Sequence, residues 1–156
     1  MSDTMIREAV PGDVAGLVEC SVALFAEDGG TRDATLNVDW PKEFSADSIR
    51  AGIDDPARLI LAAVRDGEVV GQLSGKVAEA VAIRPVRVAT LVSLYVRPEA
   101  RDGGLGAQLV AAFKDWARTI DADRIAVTAY ATNEAAIRFY RRCGFEPYQL
   151  TLEADL

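Results

Sequence analysis

The 156-residue chain is 50% hydrophobic and 26% charged, which suits one domain with a sizeable core and leaves little for a second. Its net charge of −7 is uneven: residues 1–83 carry 7 Lys+Arg against 15 Asp+Glu, while residues 84–156 carry 10 against 9, so no basic footprint for nucleic acid is present. No run approaches the roughly 20 apolar residues that cross a bilayer, and an unexported, cytoplasmic protein without membrane partners is expected. Histidine is absent, which removes the commonest metal ligand and the commonest general base together. Cys20 and Cys143 stand far apart without paired spacing, so free thiols and no metal site are expected.

In chain order, Met5–Ala9 reads as a short strand. The turn at Pro11, Gly12 and Asp13 precedes a helix from about Val14 to Ala26, with Leu17, Val18, Cys20, Leu24 and Phe25 on its apolar side. Residues 27–55 read as a long loop with one short helix after Ser45, whose hydroxyl is placed to cap it. Leu59–Val64 and Val69–Val77 form a hairpin about Asp66-Gly67. Val88–Val96 is nearly all apolar or β-branched and reads as the middle strand of the sheet. Leu105, Leu109, Ala112, Phe113, Trp116 and Ile120 recur at helical spacing. Ile125–Tyr130 reads as another strand, Glu134–Arg142 as a helix capped by Asn133 and ended by Gly144, and Tyr148–Leu152 as a final strand.

The chemistry concentrates in Arg101-Asp102-Gly103-Gly104-Leu105-Gly106-Ala107, a glycine-rich turn leading straight into a helix. Backbone N–H groups can converge there on an anion, aided by the positive end of the helix dipole. The turn lacks the Gly-Lys-Ser/Thr of a Walker loop, and Leu109 occupies the third glycine position of a dinucleotide fingerprint. A phosphate turn late in a small α+β chain remains.

Leu94-Tyr95-Val96-Arg97-Pro98, then Arg101-x-x-Gly104-x-Gly106, then Asn133-x-x-Ala136-x-x-Phe139-Tyr140-x-x-x-Gly144-Phe145 resembles the paired acetyl-CoA motifs of the Gcn5-related N-acetyltransferases. The resemblance extends to the element order from Ile6 to Leu152. It implies one α+β domain over residues 1–156, with a mixed, mostly antiparallel sheet of about six or seven strands flanked by helices. It also implies acetyl-CoA as cosubstrate and no metal. The backbone of Leu94, Tyr95 and Val96 would pair with the pantetheine amides, and the N–H groups of Asp102, Gly103, Gly104, Leu105, Gly106 and Ala107 would hold the pyrophosphate, with charge from Arg101. The Val88–Val96 strand would splay from the strand after it, Asn133 would bond the arm with Ala136 beside it, and Tyr140 would bind the cofactor and protonate the departing thiolate.

The expected reaction is direct attack of an amine on the thioester. Some relatives carry a glutamate where this chain has Thr128, so the base is unassigned among Glu79, Glu27, Asp28, Asp39 or ordered water. Residues 27–55 hold eight carboxylates against Arg32, Lys42 and Arg50, a field that would favour a cationic small-molecule or peptide amine as acceptor. A homodimer is the default assembly. The competing reading is a CoA- or nucleotide-binding sensor without transfer.

Overall fold

The computed structural model describes residues 3–156. Five strands make one sheet in the order β1 (Met5–Glu8), β2 (Arg58–Arg65), β3 (Glu68–Ala78), β4 (Val88–Val96) and β5 (Arg124–Val127). The first four are antiparallel, and β5 joins β4 in parallel after a crossover through α4 (Leu105–Thr119). The sheet is therefore mixed and flanked by helices, but it has five strands rather than six or seven. The expected last strand is missing: Tyr148–Leu152 carries no regular secondary structure and pairs with no strand. Its apolar residues Tyr148, Leu150 and Leu152 stay 66%, 73% and 84% exposed. The middle strand is β3, not β4.

The hairpin of β2 and β3 follows from Asp66 and Gly67, both left-handed at φ 53° and 77°, which matches the strand twist. Alternation along β2 then serves two cores. Leu59, Leu61 and Ala63 face α4, where Leu105, Leu109, Val110, Phe113 and Ala117 are buried. Ile60 and Ala62 face α1 (Val14–Leu24) and its Leu17 and Cys20. Burial pushes the Cys20 thiol up, consistent with a core filler. The start of α1 is tied to β1 by Arg7, whose guanidinium donates to both oxygens of Asp13 at 2.6 and 3.0 Å, while Val10 N–H donates to Oδ2 at 2.8 Å. The Arg7 bond holds the Asp13 carboxyl below the usual range, against a smaller opposing effect of burial.

The segment read as a loop is largely helical. α1 ends at Leu24, two residues before the expected point, and continues as a π-helical turn over Phe25–Gly29 into the short α2 (Gly30–Arg32). A second π turn, Pro41–Ser45, leads into α3 (Ala46–Ile53). Ser45 does not cap α3; its buried hydroxyl donates to the Pro41 carbonyl. Each π turn holds one residue more than an α turn, which rotates the following side chains out of helical phase. In α5 (Glu134–Arg142), Asn133 Oδ1 accepts the Ala136 N–H at 3.1 Å, and Gly144 at φ 99° ends the helix, as the sequence indicates. β5 is shorter than read, ending at Val127 instead of Tyr130.

Candidate active site at the split between β4 and β5

β4 and β5 pair only from Val88 and Arg124 to Leu91 and Val127. At that point Ser74 pairs with Ser93 but Gly75 with Leu91, so Val92 is an extra residue in β4, a bulge. Beyond it β5 turns away. The Arg97 N–H donates to the Val70 carbonyl at 2.8 Å, and alternation from there turns the backbone of Tyr95 toward β3 and that of Leu94 and Val96 into the split. Of the three residues read as a strand edge for pantetheine, Leu94 presents N–H and C=O there and Val96 its N–H, the Val96 carbonyl accepting from Arg101 Nε.

At the end of β4 the turn carries Asp102 and Gly104 in left-handed conformation, φ 66° and 80°. A side chain at Gly104 would be strained by that backbone, although nothing lies within 4 Å of its Cβ position. α4 has no side-chain cap, so the N–H groups of Leu105, Gly106 and Ala107 have no acceptor within the helix. They form a concave set of donors with no acidic residue in the first helical turn, suited to a pyrophosphate. Gly106 has a different reason to be glycine: its Cβ would stand 3.3 Å from the Phe139 ring, so it lets α5 approach α4.

Tyr140 lies beside that contact, edge-on to Phe139 and Phe145 at 5.3 and 5.7 Å. Burial, with smaller effects of Cys143 and Asp28, pushes its hydroxyl up to about 12. It therefore stays protonated at neutral pH and can donate. Asn133 is engaged on both sides of its amide: Oδ1 caps α5, and Nδ2 donates to Asp28 Oδ1 at 3.1 Å. Ala136 gives its N–H to that cap.

Arg101 reaches away from the phosphate turn. Its Nε donates to the Val96 carbonyl and its Nη2 to Glu27 Oε2, both at 2.8 Å, and the guanidinium lies over the Tyr95 ring. Tyr95 OH donates to Glu27 Oε1 at 2.9 Å, and burial followed by that bond pushes the phenol up to about 12. Burial alone would raise the Glu27 carboxyl, but the Arg101 and Tyr95 bonds outweigh it and hold it below its usual range. Glu27 is thus a clamp rather than a base. Glu79 pairs with Arg87 at 3.3 Å, and neither Glu79 nor Asp39 lines the cleft described next.

A cleft of about 670 Å³ lies on the α1 face, between α1, α3 and the sheet. Val92 and Ser93 of β4 and Thr128, Ala129 and Tyr130 after β5 line it, so the split opens into it. Of the eight carboxylates in residues 27–55, Asp28 alone lines this cleft. Sequence reading missed the Glu27–Tyr95–Arg101 cluster and the linked Gln72, Ser74 and Ser93 on the cleft floor, where the two serine hydroxyls are 2.6 Å apart. Nothing local signals either. Among the described residues, no group of three His, Cys, Asp or Glu could hold a metal ion, and no helix is long and apolar enough to cross a membrane.

The chain is 33% identical over 107 residues to an aminoglycoside N(6′)-acetyltransferase type 1 of Klebsiella aerogenes; the match covers 64% of this chain and 66% of that relative's length. Its fold matches the aminoglycoside N-acetyltransferase AAC(6′)-Iy, solved in complex with CoA, with a TM-score of 0.81 at 16% identity, covering 100% of this chain and 96% of that one. A transcriptional regulator from Bacillus halodurans C-125 gives a TM-score of 0.77 at 24% identity, covering 99% and 100% of the two chains. The family model for the acetyltransferase (GNAT) family matches residues 24–145, and the chain belongs to that family of acetyl-CoA-dependent acyltransferases.

Proposed function

We propose that this chain, acting as one domain, transfers the acetyl group of acetyl-CoA to a primary amine on a small molecule by direct attack. One observation carries the reading: the divergence of β4 from β5 at Leu91 and Val127, which opens a strand edge between the amides of α4 and the cleft. Leu94 and Val96 would hold the pantetheine arm and the amides of Leu105, Gly106 and Ala107 the pyrophosphate. When bound, acetyl-CoA supplies the activated acyl carbon. The amine would enter from the cleft side and reach that carbon as its neutral form. A C–N bond forms, the C–S bond breaks, the amine's proton passes to water, and Tyr140 protonates the thiolate and regains its proton from water. The aminoglycoside acetyltransferase relative supports an amine acceptor that is cationic before it reacts. Free Cys20 and Cys143 support a reducing, cytoplasmic setting. The test is thiol release from acetyl-CoA with a panel of amines, together with acetyl-CoA binding by thermal shift. Binding without release from any amine would favour the sensor reading instead.

We also propose a homodimer. The tail alternates Tyr148, Leu150 and Leu152 as a strand would, yet leaves all three exposed, beside exposed Val81 and Ile83; Arg84 sits over the Tyr148 ring at 4.6 Å. β5 pairs with β4 alone, and neither β5 nor α5 contains a buried residue. An unpaired tail and a free sheet edge on one chain would be satisfied together when two copies exchange tails. Light scattering should give twice the chain mass, and Leu150→Glu with Leu152→Glu should halve it. A monomeric parent protein would rule the exchange out.

A further inference from the structure

The cleft carries information about its acceptor that the charge of residues 27–55 alone does not. Its walls are apolar and aromatic: Leu24, Phe25, Leu36, Trp40 and Ile49, with the Phe25 and Trp40 rings stacked at 6.0 Å and 11°. Its floor is neutral, since Gln72, Ser74 and Ser93 bond to one another. Only two charged side chains line it. Arg58 is held at the α3 end, donating to the Ser48 carbonyl at 3.0 Å and its hydroxyl at 3.4 Å. Asp28 stands at the opposite end, where the cleft meets the split. Its Oδ1 accepts from Arg32 Nε at 2.7 Å and Asn133 Nδ2 at 3.1 Å, which fixes the carboxylate.

None of the segment's other carboxylates lines the cleft: Glu27 is bonded to Arg101 and Asp47 to Arg50, and Asp33 accepts from Thr35 and, at 3.5 Å, from the Tyr130 hydroxyl. A second or third ammonium inside this cleft would meet ring carbons and neutral hydroxyls without a counter-charge, and would lose its hydration. One ammonium is well served, by Asp28 and by the neighbouring faces of Tyr130 and Phe25. A cleft of this volume also accepts a body of one or two rings.

We infer that the acceptor is a primary amine with a single positive charge on an apolar or aromatic body, its ammonium received by Asp28 and its body laid against Phe25 and Trp40. This rests on the acetyltransferase reading. Asp28 Oδ1 accepts from Asn133 Nδ2 at 3.1 Å, and Asn133 caps the helix that carries Tyr140, so an amine anchored there sits on the side from which the thioester would be reached.

The experiment compares 2-phenylethylamine and 4-phenylbutylamine with spermidine and kanamycin as acceptors, following thiol release. The arylalkylamines should show the higher kcat/KM by about tenfold or more. Trp40→Ala should raise their KM by roughly tenfold and leave the KM for acetyl-CoA in place, and Trp40→Phe should restore most of the loss. Asp28→Asn should raise the KM for every amine. Preference for the polyamines, an unchanged KM in Trp40→Ala, or acetyl-CoA binding with no turnover of either arylalkylamine overturns the acceptor class and leaves cofactor binding standing. Absence of any thermal shift with acetyl-CoA overturns the transferase reading and this inference together.

Discussion

The two flanks of β4 are built to different standards of closure. Toward β1, β2 and β3, side chains are fully enclosed: Phe113, Leu73, Leu109 and Ala63 expose no surface, and every strand from β2 to β4 has two neighbours. Toward β5 and α5 no residue is fully enclosed, although the α5 side chains Phe139 and Tyr140 are apolar enough to be. The enclosed flank owes its order to the chain alone. The open flank leaves the burial of its apolar side chains incomplete. Substitutions on the two flanks should therefore report on different quantities, stability on one and turnover or binding on the other.

The largest separation is expected between Phe113→Ala and Tyr140→Phe. The first should lower unfolding free energy by about 3–5 kcal/mol, read from chemical denaturation, because the site is packed on all sides. The second should reduce kcat by about 10²-fold or more with chemistry rate-limiting, while the denaturation midpoint stays close to that of the parent. If Tyr140→Phe destabilised as much as Phe113→Ala, the contrast between the flanks would fail. A smaller effect sharpens it: acetyl-CoA at about 100 times its dissociation constant should add roughly 2.7 kcal/mol, or about 5–10 °C in Tm. Hydrogen exchange should then show the gain in protection concentrated in β4, α5 and the first turn of α4.

The smallest effect lies on the enclosed flank and depends on pH. The Asp13 carboxyl is held low by Arg7, so its contribution is fully present above the ordinary carboxylate range and is lost as pH falls through the depressed value. Asp13→Ala should lower stability by about 1 kcal/mol at pH 7, with the difference from the parent shrinking in acid. A difference that grew on acidification would contradict the sign of that shift.

What was legible in the sequence was local. Asn133 and Gly144 bracket α5 at its observed ends because a cap and a left-handed stop act within a few residues. The bounds of β4 follow from a nearly unbroken run of apolar and β-branched residues. By contrast, the π turns at Phe25–Gly29 and Pro41–Ser45 break the 3.6-residue period, so helical chain read as loop. The clamp of Glu27 on Tyr95 and Arg101 joins residues 68 and 74 positions apart, which no local pattern encodes. Alternation in Tyr148–Leu152 was a fair sign of a strand-like face, but a face does not specify a partner edge, and the sheet stops at five.

The bulge at Val92 makes the opening in the sheet a matter of counting rather than of chemistry. Because one surplus residue in β4 sets where its far edge stops matching β5, exchanging side chains along the strand should leave the gap in place. Removing the residue itself is another matter. A one-residue deletion at Val92 would let Ser93 follow Leu91 in step with β3 and keep Leu94, Tyr95 and Val96 on their present faces, but it would remove the bulge at which β4 and β5 part. The frame of this protein should therefore tolerate wide variation in letters along β4 but very little in its length.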